Sequence, residues 1–185
     1  MPDHLDAGEG LRLRPWAKRD AEAVLTAFAD PLMRGQAAEP VDSPEAAARW
    51  VDQQARRWEA EQAFAFAVVR GAGGAEQLLG NMAVGAVDRR HGTGWVSYWT
   101  TPGARGGGVA TRACRSLSRW ALDEAGLGLF RLELGHRVNN PASCRVATGA
   151  GYLVEGLERQ KLAYEGVRYD VELHARLATD PEPTS

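Results

Sequence analysis

Three successive glycines, residues 106–108, constrain this chain more than any other feature, because they join a strand-like segment to a helix-like one. Residues 94–101 are rich in aromatic and β-branched side chains, which predicts a strand. Residues 109–125 have a helical pattern, and Gly126 suits the end of that helix. Glycine loses the most backbone entropy on folding. A run of three therefore indicates either a tight turn or the close approach of a bound group.

The spacing of these glycines excludes two familiar nucleotide-binding motifs. A P-loop requires Lys and Ser or Thr after its last glycine, but Val109 and Ala110 stand there. A dinucleotide fingerprint requires a further glycine where this chain has Thr111. A loop without side chains that enters a helix N-terminus still favours phosphate, and Arg105 adds a cation. From the loop alone, a pyrophosphate cradle and a turn that binds nothing are equally good interpretations.

The other patterns predict one α/β (α+β) domain. Along the chain they indicate a strand, two helices, three strands, a helix, a strand, a short helix and two strands. This order predicts a mixed central sheet of about seven strands flanked by about four helices. The predicted domain spans residues 11–177. Residues 1–10 and 178–185 are predicted to be flexible termini, because they are polar and contain Gly or Pro.

Charge, hydropathy and cysteine content exclude several function classes. The net charge of −2 and the pI near 6.1 give no general basic field, so no nucleic-acid partner is expected. No apolar run approaches the roughly 20 residues of a membrane helix, and no signal-peptide pattern is present. The sequence thus predicts a cytoplasmic protein without a membrane partner. Cys114 and Cys144 show no disulfide framework and no metal-ligand spacing, so two reduced thiols and no metal are expected.

A second motif lies in residues 139–156. Asn140 and Ser143 begin a short predicted helix, and a Gly-Tyr step at residues 151–152 leads into a strand. Together with the loop at residues 105–110, this segment resembles the two cofactor motifs of the GNAT superfamily of N-acetyltransferases. The match is most similar to its Rim-type branch, the ribosomal-protein-alanine N-acetyltransferases. Two motifs in the right order are far more specific than one glycine loop.

The resemblance implies a single-domain GNAT fold in which two splayed strands form a wedge that holds acetyl-coenzyme A (acetyl-CoA). A primary amine, either a ribosomal or other protein N-terminus or a small molecule, then attacks the thioester directly. Exposed strands near the C-terminus predict a homodimer. The cofactor-binding residues implied by the resemblance are Trp99, Thr100, Thr101, Arg105, Gly106, Gly107, Gly108, Val109, Ala110, Asn140 and Ser143.

The same resemblance makes Ser143 the candidate acid that protonates the departing thiolate; the alternative is an ordinary helix-terminal hydroxyl. Asn140 is expected to bond the pantetheine arm, to cap the short helix, or both. No base is identified, because Trp95 and Leu162 stand where relatives carry acids. His136 is a candidate base, although a lone strand histidine is more often structural. The other candidates are Glu133, Glu158 and Asp170.

Two alternatives to acetyl transfer stay open at this stage. One is a coenzyme A-binding sensor or interaction protein without catalysis, which the missing acids favour. The other is an acyltransferase that uses a different acyl-CoA, such as succinyl-CoA. Trp16, Trp50 and Trp58 are interpreted as core residues, with an acceptor pocket as the alternative.

Overall fold

Eight strands form one mixed sheet within residues 2–33, 39–71, 76–164 and 166–183, which this computed structural model describes. Their order in the sheet is β1-β2-β3-β4-β5-β6-β8-β7, and only β5 and β6 are parallel neighbours. The predicted mixed, mostly antiparallel sheet is confirmed, with one strand more than expected. The strands are β1 (Leu5–Asp6), β2 (Leu11–Pro15), β3 (Ala63–Arg70), β4 (Gln77–Asp88), β5 (Thr93–Thr100), β6 (Arg131–Arg137), β7 (Leu153–Tyr164) and β8 (Val167–Leu177).

The described residues also contain four α-helices: α1 (Ala21–Phe28), α2 (Pro44–Glu59), α3 (Val109–Leu122) and α4 (Pro141–Gly149). Ser43 caps α2, because its Oγ accepts the N–H of Ala46 at 3.1 Å. α3 ends three residues before the predicted end, since Asp123 takes an extended backbone and its carboxylate accepts the N–H of Ala125. In the part of the chain described here, no helix is long and apolar enough to cross a membrane.

Contacts with the rest of the fold are present on both sides of the predicted bounds, residues 11 and 177. Leu5–Asp6 pairs with β2, and the carbonyl of Asp6 accepts the hydroxyl of Ser116 at 2.7 Å. At the other end, Arg176 forms a 2.9 Å ion pair with Glu182. Met1 and residues 184–185, also predicted to be flexible, lie outside the described residues.

Strand alternation divides the core between the two faces of the sheet. One cluster, under α3 and α4, includes Phe66, Met82, Val96, Leu117 and Leu134. The other lies under α1 and α2 and includes Val24, Phe28, Val51, Ala67 and Trp99. Because successive strand residues point to opposite faces, Tyr98 faces α4 whereas its neighbour Trp99 faces α1 and α2.

Candidate functional site

β5 and β6 separate after a short parallel contact. Their register ends where Trp95 is paired with Glu133. Past that point β5 stays paired with β4 as far as Thr100, and β6 stays paired with β8 as far as Arg137. The two strands therefore diverge, which confirms the predicted splay.

The backbone of β5 presents hydrogen-bonding groups to this wedge. Thr101 donates its N–H to the carbonyl of Leu79 on β4 at 2.9 Å. Bonds in an antiparallel ladder alternate from residue to residue, so the N–H of Trp99 also points to β4. The N–H groups of Tyr98 and Thr100 then point away from β4, to the side from which β6 has separated. An extended ligand can bond there as an added strand does.

The glycine loop turns its backbone outward at the start of α3. Gly106 and Gly108 have φ of +78° and +71°, a left-handed conformation that side chains rarely adopt. A Cβ built on Gly106 or Gly107 would meet nothing within 4 Å among the described residues. Gly108 caps α3 without a side-chain bond, so no capping side chain satisfies the first N–H groups of the helix. The loop is therefore open to an anion.

Two arginines flank the loop. Arg105, the predicted cation, has Nη2 only 2.7 Å from Oδ2 of Asp30. The pKa of Asp30 is lowered by the backbone N–H of Leu32 and, next, by Arg105. Arg112, one turn into α3, donates to the carbonyl of Gly107 at 3.1 Å. Sequence reasoning missed Arg112, although a position four residues after the capping glycine lies over that cap.

Ser143 and Tyr98 meet at the mouth of the wedge. The Oγ of Ser143 lies 2.6 Å from the Oη of Tyr98, and Ser143 is 8% exposed. Burial raises the pKa of Tyr98 to about 12, against the opposing effect of the bond with Ser143. Oδ1 of Asn140 accepts the N–H of Ser143 at 3.2 Å. Asn140 therefore caps α4, which was one of the two roles expected for it. The sequence analysis assigned no role to the side chain of Tyr98. Strand alternation could have indicated its position, because Tyr98 follows the buried Val96 by two residues and so lies on the same face of β5.

Three of the four candidate bases are bonded elsewhere. Glu133 is paired with Arg131 at 2.8 Å, and Glu158 is paired with Lys161. Asp170 accepts the backbone N–H of Gln160 at 2.8 Å.

The two positions where relatives carry acids hold other contacts. Lys161 Nζ lies 5.1 Å from the ring centroid of Trp95, and Leu162 is paired with Tyr169 on β8. Through Lys161, the carboxylate of Glu158 lies near Trp95, but it is paired with that lysine.

His136, the fourth candidate base, is buried in a cluster of polar side chains. Its Nε2 lies 3.0 Å from Nε2 of His174 and 3.3 Å from Oε1 of Glu172. Burial acts to raise the pKa of Glu172, but bonds with His174 and Cys144 outweigh it and lower the pKa. Burial raises the pKa of the Cys144 thiol, and Glu172 adds to that rise. The ligand atoms of His136, Cys144, Glu172 and His174 all lie within 4.8 Å of one another.

Trp16, Trp50 and Trp58 pack in the core, as the sequence analysis interpreted them. Trp16 and Trp58 are 8% and 7% exposed. Trp50 packs edge-on against Trp16 with ring centroids 4.9 Å apart, and Trp99 joins the same aromatic cluster. This cluster fixes β5 on the side opposite to Ser143.

A splayed parallel strand pair and a glycine loop that enters a helix define the class of fold, the split mixed sheet that the resemblance to the GNAT superfamily implied. The family comparison agrees with this class, because the model described as "Acetyltransferase (GNAT) domain" matches residues 10–153. The chain belongs to the GNAT acetyltransferase family.

Relatives within this family include proteins named for ribosomal substrates. The Bacillus subtilis (strain 168) protein YdaF is 30% identical over 105 residues, which cover 57% of this chain and 56% of YdaF. The ribosomal-protein-serine acetyltransferase of Escherichia coli (strain K12) is 26% identical over 102 residues, which cover 55% and 56% of the two chains. The matched segment thus spans little more than half the length of these curated relatives.

A solved structure extends the likeness of the fold to almost the whole chain. RimL, described as a ribosomal L7/L12 alpha-N-protein acetyltransferase in complex with coenzyme A, superposes with a TM-score of 0.83. It is 20% identical, and the match covers 94% of this chain and 97% of RimL. At this identity the likeness shows the fold alone.

Proposed function

We propose that this protein is an acetyl-CoA-dependent N-acetyltransferase that acetylates the α-amino group of a protein N-terminus. The observation that carries the proposal is the wedge between β5 and β6, with the glycine loop at one end and the Ser143–Tyr98 pair at its mouth. A cytoplasmic location is retained as part of the proposal.

The glycine loop is the proposed cradle for the pyrophosphate of acetyl-CoA. N–H groups from Gly106 to Ala110 and the dipole of α3 favour an anion there. Arg105 and Arg112 lie beside the loop and are paired with Asp30 at 2.7 Å and Glu9 at 3.3 Å. Each can exchange its carboxylate for a phosphate oxygen. The pantetheine arm then runs along Thr100 and Thr101 towards Asn140.

The outward N–H groups of β5 support a role in activating the thioester. A donor directed at the thioester carbonyl stabilises the negative charge that forms there as the amine attacks. Alternation in the ladder favours the N–H of Tyr98 or Thr100 for this bond. The ring of Trp99 packs in the core on the opposite face of the sheet and supports β5 from that side.

The chemistry needs one proton to move from nitrogen to sulfur. The amine lone pair forms the new C–N bond, the C–S bond breaks, and the leaving thiolate gains a proton equivalent to the one that the amine loses. Tyr98 is protonated at neutral pH, as any phenol with a pKa near 10 is, and burial raises its pKa further, to about 12. If its hydroxyl donates to Ser143 Oγ, the hydroxyl of Ser143 is free to donate to the thiolate.

The absence of an assigned base favours acceptors of low pKa. At pH 7.5, roughly a quarter to two fifths of an α-amine with a pKa of 7.7 to 8.0 is already neutral. A lysine side chain with a pKa near 10.4 presents only about one molecule in a thousand in that form. The relatives named for ribosomal proteins support an acceptor of the α-amine kind.

Competition between the two kinds of amine tests this proposal. A peptide with a free α-amine and one lysine is incubated with acetyl-CoA, beside the same peptide with a blocked N-terminus, and acetylation is located by mass spectrometry. We expect a preference of about 200- to 300-fold for the α-amine, which is the ratio of the neutral fractions. Equal or faster acetylation of the blocked peptide would contradict the proposal, and a higher rate with succinyl-CoA would reassign the acyl group.

We also propose that two copies of this chain form a homodimer through the exposed surface of β7. This edge strand carries Leu153, Val154 and Leu157, which are 66%, 56% and 55% exposed. An apolar edge strand offers both unpaired backbone groups and apolar area to a second copy.

A further inference from the structure

Four metal-ligating side chains meet between α4 and the sheet. His136 on β6 is paired with Glu172 on β8, and Leu134 is paired with His174. Paired residues, and residues two apart on a strand, share one face of a sheet. Both histidines and Glu172 therefore point to the same face, which α4 covers. Cys144, in the first turn of α4, completes the group.

The spacing of their donor atoms is close to that of a tetrahedral metal site. Oε1 of Glu172 lies 3.0 Å from His174 Nε2 and 3.3 Å from His136 Nε2, and the two Nε2 atoms are 3.0 Å apart. Ligand atoms bound to Zn²⁺ at its usual bond lengths lie about 3.3 to 3.6 Å from one another. The thiol of Cys144 needs only a side-chain adjustment, because no pair of the four ligand atoms is more than 4.8 Å apart.

The ring nitrogens are oriented for coordination. Nδ1 of His136 lies 3.0 Å from the carbonyl of Arg137 and must donate its proton there, which leaves a lone pair on Nε2. A backbone carbonyl on the outer nitrogen is the usual support of a metal-ligating histidine. His174 is completely buried, and its Nδ1 has no partner among the described residues, so its polar contacts lie at Nε2. Without a metal, the single N–H at His174 Nε2 faces both His136 Nε2 and the carboxylate of Glu172. A cation would accept the lone pairs of all three groups, and the proton of His174 would then lie on Nδ1.

We propose that His136, Cys144, Glu172 and His174 bind one divalent transition-metal ion of the Zn²⁺ class. Imidazole, thiolate and carboxylate form a donor set that Zn²⁺ favours, and four protein ligands leave no open position for catalysis. The ion ties the first turn of α4, which carries Ser143, to β6 and β8. The acyl transfer proposed above needs no metal, and His136 bound in this way is not its base.

The site is reachable from solvent, because Cys144 and Glu172 are only partly buried. On binding, the thiol of Cys144 releases its proton to water. Its ligands come from two strands and a helix, which is why no spacing motif in the sequence indicated the site.

Binding of Co²⁺ and Zn²⁺ to the full chain, stripped beforehand with a chelator, tests this proposal without acetyl-CoA or an acceptor. We expect one equivalent of Co²⁺ to produce the visible bands of tetrahedral cobalt and a near-ultraviolet thiolate charge-transfer band. Zn²⁺ should abolish both by displacement. Weak octahedral bands, or uptake that does not saturate at one equivalent, would overturn the proposal.

The two cysteines provide a matched control. Cys144→Ala should abolish the charge-transfer band, whereas Cys114→Ala, which removes a buried thiol within α3, should retain it. Glu172→Gln keeps the shape of a partly exposed side chain, and should weaken Co²⁺ binding by more than about tenfold. Zn²⁺ should raise the melting temperature of the wild type and of Cys114→Ala, but not that of Glu172→Gln. A charge-transfer band that survives in Cys144→Ala would contradict the assignment.

Discussion

Substitutions in the glycine loop test the pyrophosphate cradle most sharply at Gly108. Its φ of +71° costs any other L-residue about 1 to 2 kcal/mol, and a β-branched residue more. A Cβ there would meet only the guanidinium end of Arg112, at 3.1 Å, which can move aside. Strain rather than collision therefore sets the cost of Gly108→Val.

The strain in Gly108→Val lowers either the stability of the protein or its affinity for acetyl-CoA. If the loop keeps its shape, the free energy of unfolding falls by about 1 to 2 kcal/mol. If the loop relaxes, the N–H groups lose their alignment and the affinity for acetyl-CoA falls about 5- to 30-fold, the same energy expressed as an equilibrium. Calorimetric titration with acetyl-CoA and thermal unfolding measure both quantities on the same samples.

Two further alanine variants separate strain from contact with the ligand. Gly107 and Gly103 have ordinary φ values, and a Cβ on either would meet nothing within 4 Å among the described residues. We expect Gly107→Ala to keep wild-type stability and to lose affinity, because its methyl group stands over the proposed phosphate. Gly103→Ala lies upstream and should change neither quantity. Wild-type affinity in both Gly108→Val and Gly107→Ala would refute the cradle.

Three other predictions concern the chemistry and the assembly. Ser143→Ala should lower kcat by about 10- to 1,000-fold with little change in acetyl-CoA affinity. Tyr98→Phe should also lower kcat, because Ser143 loses its hydrogen-bond partner. Variants that keep the full kcat in steady-state assays would show that both residues have only structural roles. For two peptides with different α-amine pKa values, kcat/KM should rise with pH along each acceptor's own titration. An inflection that both peptides share and that disappears in His136→Ala would instead make His136 the base. In light scattering, Leu157→Glu on β7 should convert a dimer to a monomer, and a wild-type monomer would exclude the homodimer.

Local patterns predicted the element order and the loop well. The aromatic and β-branched residues of β5 and the glycines before α3 act within a few residues, so their signals are visible in one sequence. The splay of β5 and β6 was reached through resemblance rather than periodicity. The extra strand β1 was missed because Leu5–Asp6 is too short for any alternation to show.

The contacts that shape the site were not predictable in this way. Tyr98 and Ser143 are 45 residues apart, Arg105 and Asp30 are 75 apart, and His136 and His174 are 38 apart. Each contact depends on strand register and on how a helix lies over the sheet, neither of which a single sequence specifies. Arg105 was predicted as a cation beside the loop, but its ion pair with Asp30 was not predicted for this reason.

The most direct test of direct acetyl transfer uses acetyl-CoA that carries an isotopic label in its acetyl group. The protein is mixed with this donor, with and without an acceptor peptide, and the masses of protein and peptide are measured intact. We expect the label on the α-amine of the peptide and none on the protein, because the amine attacks the thioester itself. A labelled protein that passes its acetyl group to the peptide, for example from Cys144 beside Ser143, would contradict the account.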